Sequence, residues 1–436
     1  MTLDVFRRHA LPANWEWRKL GDICEVRDRD HRTPAHRDHG VPLISPRDFT
    51  ENAVDLTRLK RVAQEELAAF QKKCSPAKGD ILYSRIGTIG EARLVDFDFD
   101  FVALHSIAMV KPRMPGLLSK FVLYLLKSPA VRAQARHNVK SVGTPDLGLK
   151  RIKDFEVPIP SPSVQAEVVA EIEMQFSRLD EAVANLQRVK ANLRRYKGAV
   201  LQSVTSGQLE TDGQGSCERG ELGGWRRLTI EELASREPRS IQSGPFGSNL
   251  LHSEFQASGK LVIGIDNVQD GAYSIGANHR ISESKFAELE KYRARPQDVL
   301  ITVMATVGRV CVLPENIEPA IITKHVYRIT VDRSIALPEY VGIALRGARD
   351  VRAQLLGSVQ GQTRPGLNGA LIKRIRVPTP PLDEQHRIVA EVDRRLSIVR
   401  EVEADVDANL KRAQALRQAV LTAAFRTPGR PLPLPA

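Results

Sequence analysis

Chemistry needs side chains at set spacings, and this chain offers few. Gly87-Thr88-Ile89-Gly90 has the glycines of a phosphate cradle, but no lysine follows to make the loop that grips a nucleotide. No G-x-S-x-G elbow, H-E-x-x-H helix or zinc-ribbon spacing occurs. His31, His36 and His39 share one loop, the most metal-like cluster available. Arg27, Arg29, Arg32 and Arg37 crowd it and no carboxylate or cysteine geometry completes a ligand set, so a solvated or phosphate-facing loop is the better reading. Cys24, Cys74, Cys217 and Cys311 form no C-x-x-C pair, which fits a reducing cytoplasm. The expectation is a chain that performs no chemistry and holds no cofactor or metal of its own.

Its partner should be anionic. The 436 residues carry a formal net charge of +12, spread through the chain and not gathered in a tail, which points to folded basic surfaces for nucleic acid. No apolar run approaches the roughly 18 residues of a membrane span, and the N-terminus lacks a signal peptide's layout. A cytoplasmic protein without a membrane partner is expected.

What positions any binding surface is a duplicated element. Val157-Pro158-Ile159-Pro160, Val169-Ala170-Glu171 and Ala199-Val200-Leu201 return as Val377-Pro378-Thr379-Pro380, Val389-Ala390-Glu391 and Ala419-Val420-Leu421, all at an offset of 220 without a gap. An ungapped match of that length is the mark of a helix that must keep register. Ile172, Phe176, Leu179, Val183 and Leu186 alternate steps of four and three, as a coiled-coil seam does. Val392, Leu396, Val399, Val406 and Leu410 repeat the pattern, with Glu403 in an apolar place. Prolines mark each helix entrance, and about forty residues at ~1.5 Å each give roughly 60 Å. The first helix starts acidic (Glu167, Glu171, Glu173, Asp180, Glu181) and ends basic (Arg188, Lys190, Arg194, Arg195, Lys197), while the second ends with Lys411, Arg412 and Arg417. Antiparallel pairing sets acid beside base.

The segments before each helix also correspond. Trp17-Arg18-Lys19-Leu20 matches Trp225-Arg226-Arg227-Leu228 at 208, Lys78-Gly79-Asp80-Ile81-Leu82 matches Pro296-Gln297-Asp298-Val299-Leu300 at 218, and Val131-Arg132-Ala133-Gln134 matches Val351-Arg352-Ala353-Gln354 at 220. The drift means diverged loops on a shared frame, one job done on two targets. The expected fold class is α+β, with two pseudo-symmetric domains separated by an antiparallel two-helix coiled coil. Its parts are a first globule with an N-terminal arm (1–160), a long helix (161–208), a linker (209–224), a second globule (225–380), a second long helix (381–426) and a disordered Pro-rich tail (427–436). Two heads on a stiff spacer suit DNA, which presents the same groove face about every 34 Å.

Ser243-Gly244-Pro245-Phe246-Gly247-Ser248, the run Gly79-Asp80-Ile81-Leu82-Tyr83-Ser84-Arg85-Ile86-Gly87-Thr88-Ile89-Gly90, and Val377-Pro378-Thr379-Pro380-Pro381-Leu382-Asp383-Glu384-Gln385 resemble the specificity subunits of type I restriction-modification systems. The resemblance covers Trp15 to about Phe425. It implies two target-recognition domains, each reading half of a split sequence in double-stranded DNA. It also implies two methyltransferase subunits that carry S-adenosylmethionine and modify adenine, and restriction subunits that use ATP with Mg. The alternative is a stand-alone regulator of a split operator. At Ser161-Pro162-Ser163-Val164-Gln165 the first copy lacks the Leu and Glu of the second, so the two helix entrances are expected to differ.

Candidate DNA contacts lie in loops at strand ends: Arg32 in the His/Arg loop, Arg47 with Asn267 at the matching place, Ser84 and Arg85 with Thr302, and His105 with Lys324. Ser141 and Thr144, and then Gln360, Gln362, Thr363 and Arg364, fall in polar loops before the helices. Phe246 is expected to anchor its Gly-Pro-Phe-Gly turn by packing.

Overall fold

The computed structural model describes residues 11, 14–29, 32–139, 144–206, 224–246, 249–276, 278–357 and 367–426. The expected linker at 209–224 and the Pro-rich tail fall almost wholly outside these residues. Two compact units emerge, 1–187 with 407–436, and 188–406.

The first unit runs β1 (Trp15–Lys19), α1 (Leu20–Ile23), β2 (Cys24–Arg27), β3 (Val41–Ile44), β4 (Lys60–Val62), α2 (Gln64–Lys73), β5 (Ile81–Ser84), β6 (Ala92–Leu94), β7 (Val102–Ala103) and β8 (Ile107–Pro112). Helices α3 (Ser119–Lys127), α4 (Pro129–His137) and α5 (Leu149–Lys153), then β9 (Glu156–Pro160), lead into α6 (Pro162–Thr205). An antiparallel sheet of order β2-β8-β5-β6 packs beside a three-stranded sheet β4-β3-β7, in which β3 and β7 are parallel.

In the second unit come β10 (Arg226–Thr229), α7 (Ile230–Leu233), β11 (Ile241–Ser243), β12 (Lys260–Ile263), β13 (Val268–Gln269), β14 (Ala272–Tyr273), β15 (Arg280–Ile281), α8 (Glu283–Glu288), β16 (Arg293–Ala294), β17 (Val299–Thr302), β18 (Val310–Val312), β19 (Ala320–Ile322) and β20 (Val326–Ile329). Helices α9 (Pro338–Gly347), α10 (Arg349–Gly357) and α11 (Gly369–Arg374), then β21 (Arg376–Thr379), lead into α12 (Leu382–Arg426). Sheet β11-β20-β17-β18 repeats β2-β8-β5-β6, and β15-β12-β19 repeats β4-β3-β7 with β16 added at its edge. The hairpin β13–β14 answers to the turn in which Phe49 bridges Val54, since Asp55 N–H reaches Asp48 O (2.7 Å) as Ser274 N–H reaches Asn267 O (2.9 Å).

Strand pairing corrects one sequence match. Leu20 donates its N–H to Phe155 O, and Ile230 does the same to Ile375 O, so the offset there is 210 and not 208. Trp15, not Trp17, answers to Trp225. A slip of two preserves the faces of a strand, so alternation alone does not reveal it.

The repeated Lys78-Gly79-Asp80 and Pro296-Gln297-Asp298 each close a turn into a core strand. Asp80 accepts from Ala77 N–H and Asp298 from Arg295 N–H, both at 2.7 Å. The residue before each aspartate has a left-handed backbone, φ +93° at Gly79 and +65° at Gln297, which glycine tolerates and glutamine adopts under strain.

Helices α6 and α12 are continuous over 44 and 45 residues, about 66 Å at ~1.5 Å per residue. Within the first unit, Val169 and Ile172 of α6 share a core with Val420, Leu421, Ala424 and Phe425 of α12. Within the second, Val200, Leu201 and Val204 of α6 share one with Ile388, Val392 and Leu396 of α12. The start of each helix thus meets the end of the other, the antiparallel arrangement expected from the charges. Glu403 occupies its apolar place because Lys197 Nζ reaches it at 2.5 Å. Arg417 lies over Phe176 (4.9 Å to the ring centre) and pairs with Asp180.

The helix entrances, expected to differ, share a buried glutamine. Gln165 accepts from Leu118 N–H (3.0 Å) and donates to Pro160 O (3.0 Å). Gln385 accepts from Leu337 N–H (2.8 Å) and donates to Pro380 O (2.8 Å). Both side chains are fully buried, and each amide locks a long helix to the segment before α3 or α9. Gln134 and Gln354 act likewise on strands β9 and β21, each bonding N–H and C=O of one residue, Glu156 and Arg376.

Candidate nucleic-acid interface

In both units the loops at one end of the main sheet are stitched together by the same backbone bonds. In the first, Leu104 N–H reaches Ile44 O (2.9 Å), Arg85 N–H reaches Ser106 O (2.9 Å) and Leu147 N–H reaches Arg85 O (2.8 Å). In the second, Thr323 N–H reaches Ile263 O (2.9 Å), Val303 N–H reaches His325 O (3.0 Å) and Leu367 N–H reaches Val303 O (3.1 Å). Each unit therefore gathers the loops after β3 or β12, after β5 or β17, and before β8 or β20. These are the loops in which sequence placed most of the candidate contacts.

Some of those candidates build the face and do not line it. Ser84 and Thr302 are fully buried, and their hydroxyls accept the N–H of Glu91 (2.9 Å) and Arg309 (3.0 Å), closing equivalent turns. Glycine stands at φ +76° in Gly87, where the second turn forces Ala305 to +60°. Asn267 is buried, accepting from Gly264 N–H (2.8 Å) and donating to Ser274 O and Ile275 O (3.0 and 2.6 Å). Arg85 is buried too, clamped by Asp28 (2.8 Å) and Asp146 (2.7 Å).

Others stand open. Arg47 projects from a short 3-10 turn fixed by Ser45 N–H to Asp48 (2.7 Å). Thr144 and Lys324 are exposed, His105 half-buried. Arg32 is exposed and leans on Glu66 (3.0 Å), which also holds the buried Arg29 (3.1 Å). Burial and the neighbouring Lys324 both lower the His325 pKa, favouring the neutral ring. Ser141, Gln360, Gln362, Thr363 and Arg364 lie outside the described residues.

Phe246 departs from expectation: its side chain is 60% exposed. Ile275 and Met304, on the same loops, are exposed as well and carried no sequence signal, since isolated apolar loop residues are common.

Charge follows the heads. Over 15–160 Lys and Arg outnumber Asp and Glu by 25 to 19, and over 225–380 by 21 to 15, so each globule carries +6. The remaining residues balance at 18 to 18, and within them the two long helices hold 14 basic against 13 acidic residues. Burial pushes the thiols of Cys24, Cys74 and Cys311 up to about 12, far from a reactive thiolate. Among the described residues no cluster of His, Cys, Asp and Glu has metal-ligand spacing, and no helix is long and apolar enough to cross a membrane.

The type I restriction modification DNA specificity domain matches residues 12–191 and 251–405, once in each repeat. The EcoBI specificity subunit of Escherichia coli is 24% identical over 304 residues, covering 68% of this chain and 63% of its own length. The EcoKI specificity subunit of E. coli K12 is 23% identical over 411 residues, 89% of this chain and 82% of that one. Among solved structures, a chain from work on complex assembly and conformational transition of the type I R-M system superimposes with a TM-score of 0.70 at 19% identity, covering 96% of this chain and 99% of that one. The HsdS subunit from Thermoanaerobacter tengcongensis gives 0.50 at 18% identity, with 96% and 98% covered.

Proposed function

Because the chain belongs to the family of type I restriction modification DNA specificity domains, we propose that it recognises a two-part DNA sequence, one half with each head, and directs methyltransferase and restriction subunits to it. The observation that carries this is the placement of charge: two structurally repeated loop faces, each on a globule of +6, joined by helices that together carry only +1. A scaffold for acidic proteins would need no such division. Phosphates would meet the exposed cations Arg32, Arg47 and Lys324, and Arg364, while Thr144, His105, Gln360, Gln362 and Thr363 would face base edges.

Two methyltransferase subunits, with S-adenosylmethionine on them, would supply the chemistry, and ATP and Mg would belong to the restriction subunits. Exposed apolar residues on the long helices support such partners over a stand-alone regulator: Met174, Val189 and Tyr196 on α6, Ile398 and Val402 on α12.

The reading is tested by salt. Arg47→Ala and Lys324→Ala should each lower the slope of log affinity against log salt by about 0.9, the share of one phosphate contact. Unchanged slopes in both variants would show that these loops do not face DNA.

A further inference from the structure

In each head the loop after β3 or β12 continues into a short hairpin whose tip is held by a buried cation. The two hairpins match bond for bond at an offset of 219 (267 − 48). Asp48 accepts Ser45 N–H (2.7 Å) as Asn267 accepts Gly264 N–H (2.8 Å), and Asp55 N–H reaches Asp48 O as Ser274 N–H reaches Asn267 O. Further out, Thr50 N–H reaches Ala53 O (2.9 Å) where Gln269 pairs with Ala272.

At the tips both heads use one device. Lys127, the last residue of α3, donates to Glu51 O (3.4 Å), and Arg346 of α9, again 219 residues on, donates to Asp270 O (3.4 Å). The first tip is also held by Arg93, whose Nε donates to Thr50 O (2.5 Å) and whose guanidinium stands over the Phe49 ring (5.2 Å). On the second, Gly271 N–H reaches Val310 O (2.7 Å), and a Cβ on Gly271 would lie 2.3 Å from the guanidinium carbon of Arg346, so the tip rests directly on that side chain.

Burial opposes a cation in either place. Lys127 is 9% exposed and the Arg346 side chain 12%. Burial, with Arg93, Arg132 and Arg417 nearby and only Glu91 to offset them, pushes the Lys127 pKa down to about 8, and burial also lowers that of Arg346. An unbranched apolar side chain would pack there without that penalty. What it lacks is a donor for the tip carbonyl, and a two-stranded hairpin of this size does not hold its shape unaided. Both heads keep a cation at this place, although one uses lysine and the other arginine.

Resting on the reading of the joined loops as DNA contacts, we infer that Lys127 and Arg346 are positioning residues for recognition, one in each head: by fixing the hairpin tips they set where the loops that begin at Ser45 and Gly264 meet the bases. Neither cation touches DNA. A binding group must be held within about 0.5 Å of its productive place. The base of the hairpin belongs to the reading loop, so freedom at the tip is passed on to that loop.

The test uses the full chain, a duplex carrying the target found by mapping methylated adenines, and two duplexes in which one half-site or the other is scrambled. Lys127→Met should lower the preference for the intact sequence at one half-site by about tenfold, the share of one base contact, and Arg346→Met should do the same at the other half-site only. Lys127→Arg should keep the original preference, because the second head already uses arginine there. Hydrogen exchange supplies the readout that a general packing role would not give: the Asp55 amide in Lys127→Met and the Ser274 amide in Arg346→Met should exchange faster, with β5–β6 and β17–β18 protected as before. Unchanged preference in both methionine variants, an equal loss in Lys127→Arg and Lys127→Met, or a loss of preference accompanied by loss of protection in the core strands would overturn the inference alone. Failure of the unaltered chain to prefer the mapped duplex over one scrambled in both halves would overturn the proposed function and the inference with it.

Discussion

Arg85→Leu should cost the first head about 3 kcal/mol and leave the salt dependence of DNA binding by the folded chain unchanged. The guanidinium is 4% exposed and donates to Asp28 from two nitrogens (3.1 and 2.8 Å), to Asp146 at 2.7 Å and to Leu147 O at 3.4 Å. Leucine would fill the space but strand Asp28, which is largely buried. Asp146 is 43% exposed and regains water, which holds the cost to the lower end of the range for broken buried pairs. Hydrogen exchange is the suitable measurement, because a chain of two units need not unfold in one step. Protection should fall in 85–91 and 144–147 and stay constant in 299–310. Intact protection with a smaller salt slope would instead make Arg85 a phosphate contact.

Lengthening α6 and α12 by one heptad each, after Ala191 and after Ala408, should move the preferred distance between half-sites up by about three base pairs. Seven residues keep the seam in phase and add about 10 Å at ~1.5 Å per residue, against ~3.4 Å per base pair. Affinity for the original spacing should drop by roughly a hundredfold or more, since one head at a time is then engaged and the gain from joint binding is lost. Four residues inserted at Ala191 alone would put the seam out of phase and destabilise the helix pair as well. A lengthened chain that still prefers the original spacing would remove the helices as the ruler.

The helices were legible because their information is periodic: Ile172, Leu179, Val392 and Val399 are buried as spaced. The entrances were not, because the Val164-Gln165 and Glu384-Gln385 steps look unlike while the shared glutamine acts on N–H groups 47 and 48 residues away. Position among the joined loops at the sheet end was also legible, but role was not. Ser84 and Thr302 sit where the sequence put them, yet their hydroxyls face the turn they close. Arg85 reads locally as a free cation, and the carboxylates that hold it lie 57 and 61 residues off. For Phe246 the local Gly-Pro-Phe-Gly context suggested an anchor, and only the tertiary neighbours leave it bare.

The most direct measurement is a map of methylated adenines in cells that express this chain with the methyltransferase subunits proposed as its partners, compared with cells in which residues 225–380 are exchanged for the corresponding segment of another family member. The account predicts methylation at a two-part sequence, of which one half changes with the exchange while the other half stays as it was. A target that changes in both halves, or in neither, would contradict it.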